Sequence, residues 1–96
     1  MDKRLPMLTI IVPCFNEEEV LPETIKQLTE LMNELCEEKL IGKHSRILFV
    51  DDGSTDRTWM MIAMESVRNQ FVTGIKLARN VGHQKALLAG YLKARE

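Results

Sequence analysis

Two adjacent carboxylates follow a short apolar run in the middle of the chain. Residues 47–50 are Ile-Leu-Phe-Val, and Asp51, Asp52 and Gly53 come directly after them. Strand ends in α/β proteins point into the crevice where ligands bind. Carboxylates at such an edge can accept hydrogen bonds from a sugar or a base, or face a metal ion that substrate phosphates hold. A tight Asp-Gly turn explains one of these acids but not both.

Two further segments carry side chains suited to ligand binding. Residues 13–17 are Pro-Cys-Phe-Asn-Glu, and residues 79–83 are Arg-Asn-Val-Gly-His. Phe15 could pack in the core or stack on a base, and the acids from Glu17 onward also favour the start of a helix. Arg79 beside a glycine suits phosphate, which a guanidinium can grip with two N–H groups.

Apolar patterns predict three strands and three helices around these segments. The predicted strands are residues 8–12, closed by Pro13, then 47–50 and 71–77. The first helix has Pro22 in its first turn, should end near Gly42, and carries an apolar stripe at Ile25, Leu28, Met32, Leu35 and Cys36.

The second and third helices follow the second and third strands. Asp56 is the predicted N-cap of the second helix. The predicted inner face of that helix is Trp59, Ile62, Ala63 and Val67. The methionines Met60, Met61 and Met64 are interpreted as core filler rather than as a binding surface. After a loop at 78–82, the apolar residues of the last helix are Leu87, Leu88, Tyr91 and Ala94.

The order β-α-β-α-β-α predicts an α/β fold with a parallel sheet and right-handed crossovers. The three loops after the strands then share one edge of the sheet, so residues far apart in sequence converge. A three-stranded parallel sheet leaves an edge bare, and we therefore expect an incomplete domain, the first part of something larger.

Composition and missing motifs exclude several functional classes. The chain has 45% hydrophobic and 28% charged residues and a net charge of -1, which does not favour nucleic acid as a partner. Cys14 and Cys36 lack metal-ligand spacing and are expected to be reduced thiols. His83 is interpreted as a helix-start residue rather than a metal ligand. Dinucleotide-binding, phosphate-loop and nucleophile-elbow signatures are absent.

Together the three segments resemble the opening of a family-2 glycosyltransferase. The similar runs are residues 11–17, 50–56 and 79–86. The Arg-Asn-x-Gly-His-Gln run, followed by Ala89 and Gly90, is most similar to the polyprenyl-phosphate branch. That branch includes bactoprenol glucosyltransferases and dolichol-phosphate mannose synthases. The resemblance covers nearly the whole chain, from about Leu8 to the last helix.

The resemblance implies a three-layer α/β/α sandwich of the nucleotide-diphospho-sugar transferase (GT-A) type. Residues 1–96 would be the N-terminal nucleotide-binding part of one glycosyltransferase domain. The implied reaction is the inverting transfer of a sugar from a UDP- or GDP-sugar to polyprenyl phosphate, with Mg²⁺ or Mn²⁺. The implied donor-binding residues are Pro13, Phe15, Glu17, Val50, Asp51, Asp52 and Arg79. The first three would line the nucleoside pocket, the next three would contact base and ribose, and the last would lie near a phosphate.

The family's metal-binding Asp-x-Asp and general base come later than Glu96, so the resemblance places no catalytic or metal-binding residue in this chain. We therefore expect this piece to bind the donor without turnover, and to be soluble and cytoplasmic. The full-length protein would act at the cytoplasmic face of a membrane, anchored through other segments, and could form homo-oligomers.

One other hypothesis remains open, and a second is disfavoured by the sequence. The first is a non-catalytic nucleotide- or partner-binding module that is complete at this length, because a bare sheet edge can pair with another chain. The second is a flavodoxin-like receiver domain. It requires a phospho-accepting Asp at the third strand end, where residues 77–79 are Leu-Ala-Arg.

Overall fold

The computed structural model describes residues 4–95, so the outermost positions of the predicted domain 1–96 lie outside the described part. Strands and helices alternate in the predicted order. The strands are β1 (Thr9–Cys14), β2 (Arg46–Asp51) and β3 (Val72–Lys76). The helices are α1 (Leu21–Glu37), α2 (Thr58–Arg68) and α3 (His83–Ala94). Most predicted bounds are wrong by one or two residues, because helices and strands end where their hydrogen bonds end.

The three strands form one parallel sheet, which confirms the predicted α/β fold. The strand order is β1-β2-β3, with β2 in the centre. Cys14, Asp51 and Lys76 are paired in register at the carboxyl ends of the strands. Within residues 4–95, the outer edges of β1 and β3 have no strand partner.

Each face of the sheet is covered by different helices. Ile47 and Phe49 of β2 are buried in the cluster that includes side chains of α1 and α2. Leu48 and Val50 are buried in a second cluster with Ala86 of α3. Since successive side chains of a strand point to opposite faces, the continuous apolar run of β2 is what permits helices on both sides.

Pro13 lies inside β1 instead of closing it, which corrects the predicted strand 8–12. Arg46 donates its N–H to the Leu8 carbonyl, and Asp52 donates to the Cys14 carbonyl, each at 2.8 Å. Even-numbered residues of β1 therefore face β2, and the backbone nitrogen of Pro13 faces the outer edge. A proline costs no ladder hydrogen bond at that position.

The first helix ends at Glu37, five residues before the predicted end at Gly42. Lys39 has φ 59° and donates its N–H to the Cys36 carbonyl, while Leu40 donates to the Leu35 carbonyl, both at 3.0 Å. These two bonds form a Schellman motif with lysine at the position where glycine is usual. The prediction failed because it relied on glycine to end the helix.

The predicted inner face of α2 is partly wrong. Ile62 is fully buried, and Trp59 and Met61 pack against the core. Val67 is 88% exposed, because five residues turn a helix about 140° away from Ile62. Met60 and Met64 are also exposed, since each lies about 160° around the helix from Ile62. Only Met61 fills the core as predicted.

The third helix buries small residues and exposes large ones, including the apolar residues Leu87, Leu88 and Tyr91. Ala86 and Gly90 are fully or largely buried, whereas the three large side chains are exposed. A Cβ on Gly90 would lie 2.6 Å from Cγ2 of Ile11 and 2.8 Å from Cγ2 of Val50. The small residues let the helix backbone lie close to β1 and β2, which leaves no room for leucine on the inner side.

We predict that Gly90→Ala destabilises the fold. Alanine improves helix propensity by about 1 kcal/mol, but its Cβ would overlap two stiff β-branched side chains, which costs about 1–3 kcal/mol. Urea denaturation should show a net loss of stability, while the exposed control Leu88→Ala should change the midpoint little. A more stable Gly90→Ala variant would show that α3 is free to move away from the sheet.

Candidate functional site

The loops after the three strands meet at one edge of the sheet, as the sequence predicted. Hydrogen bonds join the loop after β1 to the loop after β2, and others join the loop after β2 to the loop after β3. The central loop, which carries Asp51 and Asp52, therefore contacts both of its neighbours. These contacts bring the predicted donor-binding segments together.

Asn16 connects the first two loops. Its Oδ1 accepts the N–H of Thr55 at 2.8 Å and that of Asp56 at 3.3 Å. Its own N–H donates to Oγ of Ser54 at 2.9 Å. Asn16 has φ 51°, a left-handed conformation that asparagine tolerates better than most residues. One asparagine thus fixes both the turn of its own loop and the position of the next.

Three more hydrogen bonds extend this connection to the starts of α1 and α2. Glu17 donates its N–H to the hydroxyl of Thr58 at 2.8 Å, and Thr58 is fully buried. Glu18 donates its N–H to Asp56 at 3.2 Å, and its carboxylate accepts the N–H of Arg57 at 2.9 Å. Sequence reasoning had assigned Glu18 only to a helix start and had missed Thr58. A threonine three residues after a turn carries no pattern that distinguishes it from a surface residue.

Asp56 is not the N-cap of α2, as predicted, but the residue before it. Arg57 is the N-cap of α2 and makes no side-chain cap hydrogen bond. Asp56 instead accepts the N–H of Thr58 at 2.8 Å from just outside the helix. Desolvation opposes its ionisation, but hydrogen bonds from Thr58 and from the N–H of Glu18 outweigh that effect and lower the pKa of Asp56. Asp56 therefore serves both the start of α2 and the loop after β1.

Asp52 holds the third loop in place. Its side chain is fully buried, and its two oxygens accept the N–H of Val81 at 2.7 Å and of Gly82 at 3.0 Å. Gly53 follows with φ 76°, and a Cβ there would collide with the backbone of Arg79 and Asn80. The carboxylate and the glycine together allow the loop before α3 to lie directly against the end of β2.

Asp51 differs from its neighbour in having no hydrogen-bond partner. It is fully buried, and neither carboxylate oxygen has a partner within the described part of the chain. Its backbone is regular, because it pairs with Cys14 and Lys76 in the sheet. A buried carboxylate without a donor is costly. A donor supplied by a ligand would offset that cost.

Cys14 lies beside Asp51 and is chemically quiet. Burial, and then the charges of Glu17 and Asp51, raise the pKa of its thiol to about 12. A thiol of this kind stays protonated at neutral pH and is neither a nucleophile nor a metal ligand. Cys14 and Cys36 are both free, as predicted.

The remaining predicted residues occupy different depths around the edge. Phe15 is 36% exposed, so the core interpretation is wrong and its ring is accessible. Glu17 and Pro13 are half-buried, and Arg79 is exposed. The side chain of Val50 is fully buried under α3. A ligand at this edge could therefore contact Phe15, Glu17 and Arg79 directly.

The candidate site is shallow, and it contains no assembled metal-binding group. A cavity of about 450 Å³ lies beside the first two loops, lined by Asn16, Glu17, Glu18, Glu19, Val20 and Asp56. A second groove, of about 490 Å³, lies between α1 and α2 and is lined by residues away from the strand ends. Within residues 4–95, no three His, Cys, Asp or Glu side chains are grouped to hold a metal ion. In the same range, no helix is long and apolar enough to cross a membrane.

Comparison with known proteins shows similarity to one protein family and to a named bacterial relative. The family model described as "Glycosyl transferase family 2" matches residues 9–96. A protein of Bacillus subtilis (strain 168), named "Uncharacterized glycosyltransferase YkoT", is 68% identical over 95 residues. The aligned segment covers 99% of this chain and 28% of that relative, so the chain spans less than a third of the relative's length.

The two adjacent aspartates should have opposite effects on stability. Asp51→Val removes a buried carboxylate without a partner and should raise the free energy of unfolding by about 1–3 kcal/mol. Asp52→Ala leaves two loop N–H groups without an acceptor and should lower it by a similar amount, about 1–3 kcal/mol. Urea denaturation measures both. Asp52→Asn, which keeps one acceptor oxygen, should fall between wild type and Asp52→Ala; equal effects at both positions would contradict the assignment.

We also predict acid sensitivity from Asp56. Because its pKa in the folded state is lowered from the usual 3.8, the stability it contributes is complete above that value and is lost as the pH falls through the folded-state pKa. The urea midpoint should therefore fall less between about pH 5 and pH 3 in Asp56→Asn than in wild type. Identical slopes in the two proteins would mean that other carboxylates dominate the acid response.

Proposed function

Because the chain belongs to glycosyltransferase family 2, we propose that it forms the donor-nucleotide end of an enzyme that transfers a sugar from a UDP- or GDP-sugar to an acceptor. The proposed acceptor is polyprenyl phosphate, since residues 79–90 resemble that branch of the family. We further propose that the transfer inverts the anomeric centre. The parallel three-stranded sheet with helices on both faces is consistent with part of a GT-A domain.

The observation that carries this proposal is the unpartnered carboxylate of Asp51. Both of its oxygens are buried without a donor at the carboxyl end of the central strand. Uracil and guanine each have a ring N–H that donates to such an acceptor, whereas the ring nitrogen at the corresponding position of adenine and cytosine is itself an acceptor, which a carboxylate repels, and leaves only an exocyclic amine as donor. The carboxylate therefore favours UDP or GDP over ADP and CDP. Asp51 is fully enclosed. We therefore propose that a loop at the strand ends shifts to let the base reach it.

The surrounding residues suit the rest of a nucleotide. The accessible ring of Phe15 can stack on a base, with Pro13 and Glu17 beside it at the nucleoside. Asp52 and Val50 stand next to Asp51 in the central strand and its turn, where we propose that they shape the base and ribose subsite. Arg79 is exposed on the loop that Asp52 anchors, and we propose that it contacts a phosphate.

The proposed reaction has two parts, donor binding and sugar transfer. The residues described above can perform the binding. A family-2 enzyme uses Mg²⁺ or Mn²⁺ to neutralise the departing diphosphate. The described carboxylates do not form a site for that ion, because Asp52 is already bound to two N–H groups and Asp51 has no acidic group assembled around it. We propose that residues 1–96 bind the donor without turnover.

The proposed cellular location of the longer protein follows from the same family resemblance. We propose that the longer protein acts at the cytoplasmic face of a membrane, held there by segments other than the described helices, and that residues 1–96 are part of one glycosyltransferase domain. Lipid-linked phosphate as acceptor and a homo-oligomeric state belong to this proposal. Both concern the whole enzyme rather than the binding edge.

Calorimetric titration of the chain with UDP, GDP, ADP and CDP tests the proposal. We expect UDP or GDP to bind and the other two to bind weakly or not at all. Asp51→Val should lower the affinity by about tenfold or more, because it removes a charged acceptor, although the variant is the more stable protein.

Glu30→Gln is the matched control, since Glu30 is an exposed acid on α1 away from the strand ends. Its affinity should equal that of wild type. Failure of a folded wild-type chain to bind any of the four nucleotides would contradict the proposal. Unchanged affinity in Asp51→Val would reassign the base to another residue.

A further inference from the structure

Lys76 is the last residue of β3 and the in-register neighbour of Asp51. The two residues are paired across the parallel ladder, and Leu77 donates its N–H to the Asp51 carbonyl at 2.8 Å. Neighbouring strands of a sheet lie about 4.8 Å apart, and the flexible four-carbon stem of lysine is longer than that distance. The ammonium of Lys76 can therefore reach a group that binds at the Asp51 carboxylate.

The side chains of Lys76 and Asp51 lie on the same face of the sheet. Asp51 comes two residues after Phe49, which is buried in the cluster with α1 and α2. On β3, Val72 belongs to that cluster, and a Cβ on Gly74 would meet side chains of α2. Lys76 follows these two residues at two-residue steps. Since side chains alternate between the faces along a strand, Asp51 and Lys76 both project toward the side of α1 and α2.

Lys76 and Asp51 differ in exposure and are not bonded to each other. Lys76 is exposed, whereas Asp51 is fully buried. Within residues 4–95, neither carboxylate oxygen of Asp51 has a hydrogen-bond partner, and no ion pair joins the two side chains. A carboxylate and an ammonium that lie side by side without bonding each other present an acceptor and a donor to the same ligand.

Uracil and guanine carry a matching pair of groups on one edge. Beside the ring N–H that the Asp51 carboxylate would accept, uracil has the carbonyl oxygen O4 and guanine has the carbonyl oxygen O6. A carboxylate repels such an oxygen, whereas an ammonium next to the carboxylate donates a hydrogen bond to it. Cytosine and adenine have an amino group at the corresponding position, and an ammonium has no lone pair with which to accept its N–H.

We propose that Lys76 is a specificity-determining residue of the donor site, and that its ammonium donates to O4 of uracil or O6 of guanine in the bound nucleotide. Because this role requires a base at Asp51, it rests on the function proposed above. Asp51 then contacts the donor of the base edge and Lys76 contacts the adjacent acceptor. Cytosine and adenine match neither residue, so the two side chains together favour uracil and guanine.

Two other roles fit the position of Lys76 less well. A phosphate is the proposed partner of Arg79, which lies on the loop that leads into α3, whereas Lys76 faces the side of α1 and α2. A permanent counter-ion of Asp51 would be bonded to it, and the described part of the chain contains no such bond.

Calorimetric titration with sulfur-substituted nucleotides tests the role of Lys76. In 4-thio-UDP and 6-thio-GDP, sulfur replaces the base oxygen that Lys76 would contact, while the ring N–H remains. Since sulfur is the weaker acceptor, wild type should bind the thio analogue about fivefold more weakly than the parent nucleotide. Lys76→Met should lower the affinity for the parent nucleotide by about tenfold. It should bind parent and analogue nearly equally, because the ammonium that distinguishes them is gone.

Two further variants are compared with Lys76→Met. Lys76→Arg keeps a cationic donor and should retain most of the affinity and part of the preference for oxygen over sulfur. Lys43→Met is the matched control, because Lys43 is an exposed lysine in the segment before β2, at the amino ends of the strands. It should bind every nucleotide as wild type does. Circular dichroism checks that each variant is folded.

The role of Lys76 and the proposed function fail in different ways. Nucleotide binding that depends on Asp51 but is unchanged in Lys76→Met would overturn the role of Lys76 alone. Equal losses of affinity for the parent nucleotide and its thio analogue in Lys76→Met would do the same, and would assign the ammonium to a phosphate. A folded wild-type chain that binds none of these nucleotides would overturn the proposed function and the role of Lys76 together.

Discussion

The carboxylate of Asp52 is the interaction on which the candidate site depends. It accepts the N–H groups of Val81 and Gly82, and so it fastens the loop before α3 to the end of the central strand. Gly53 permits the same approach, because a side chain there would collide with the backbone of Arg79 and Asn80. Without this attachment, the exposed Arg79 loop would have no fixed position relative to Asp51.

The neighbouring carboxylates illustrate how stability and function can be separated along one strand. Asp52 satisfies backbone donors and stabilises the fold, whereas Asp51 is buried with no donor among residues 4–95 and weakens it. The free-energy cost of an unpaired buried carboxylate is large compared with the free energy of unfolding of a small domain. A ligand that supplies a donor is the simplest physical reason to keep the carboxylate of Asp51 buried. For that reason the proposed base site is at Asp51 rather than at Asp52.

The two faces of the sheet are also specialised. The loop connections of Asn16, Glu18 and Thr58 lie toward α1 and α2, where they order that side of the edge. The other face is covered by α3, with small residues inside and large apolar residues outside. The candidate nucleotide edge and the outer side of α3 therefore belong to different parts of the structure.

The order of strands and helices, the shared edge and the residues around Asp51 were predictable, because apolar periodicity and turn residues are local information. The end of α1 at Glu37, the exposure of Leu87 and Leu88, and the partners of Asn16 were not. The helix end depends on the left-handed backbone of Lys39. The other two depend on how closely one segment approaches another distant in sequence: α3 on its glycine, or the loop of Asn16 on Thr55. Adjacent aspartates look alike in sequence. Only the position of the third loop decides that Asp52 has donors and Asp51 has none, because hydrogen bonds depend on distances that spacing along the chain does not specify.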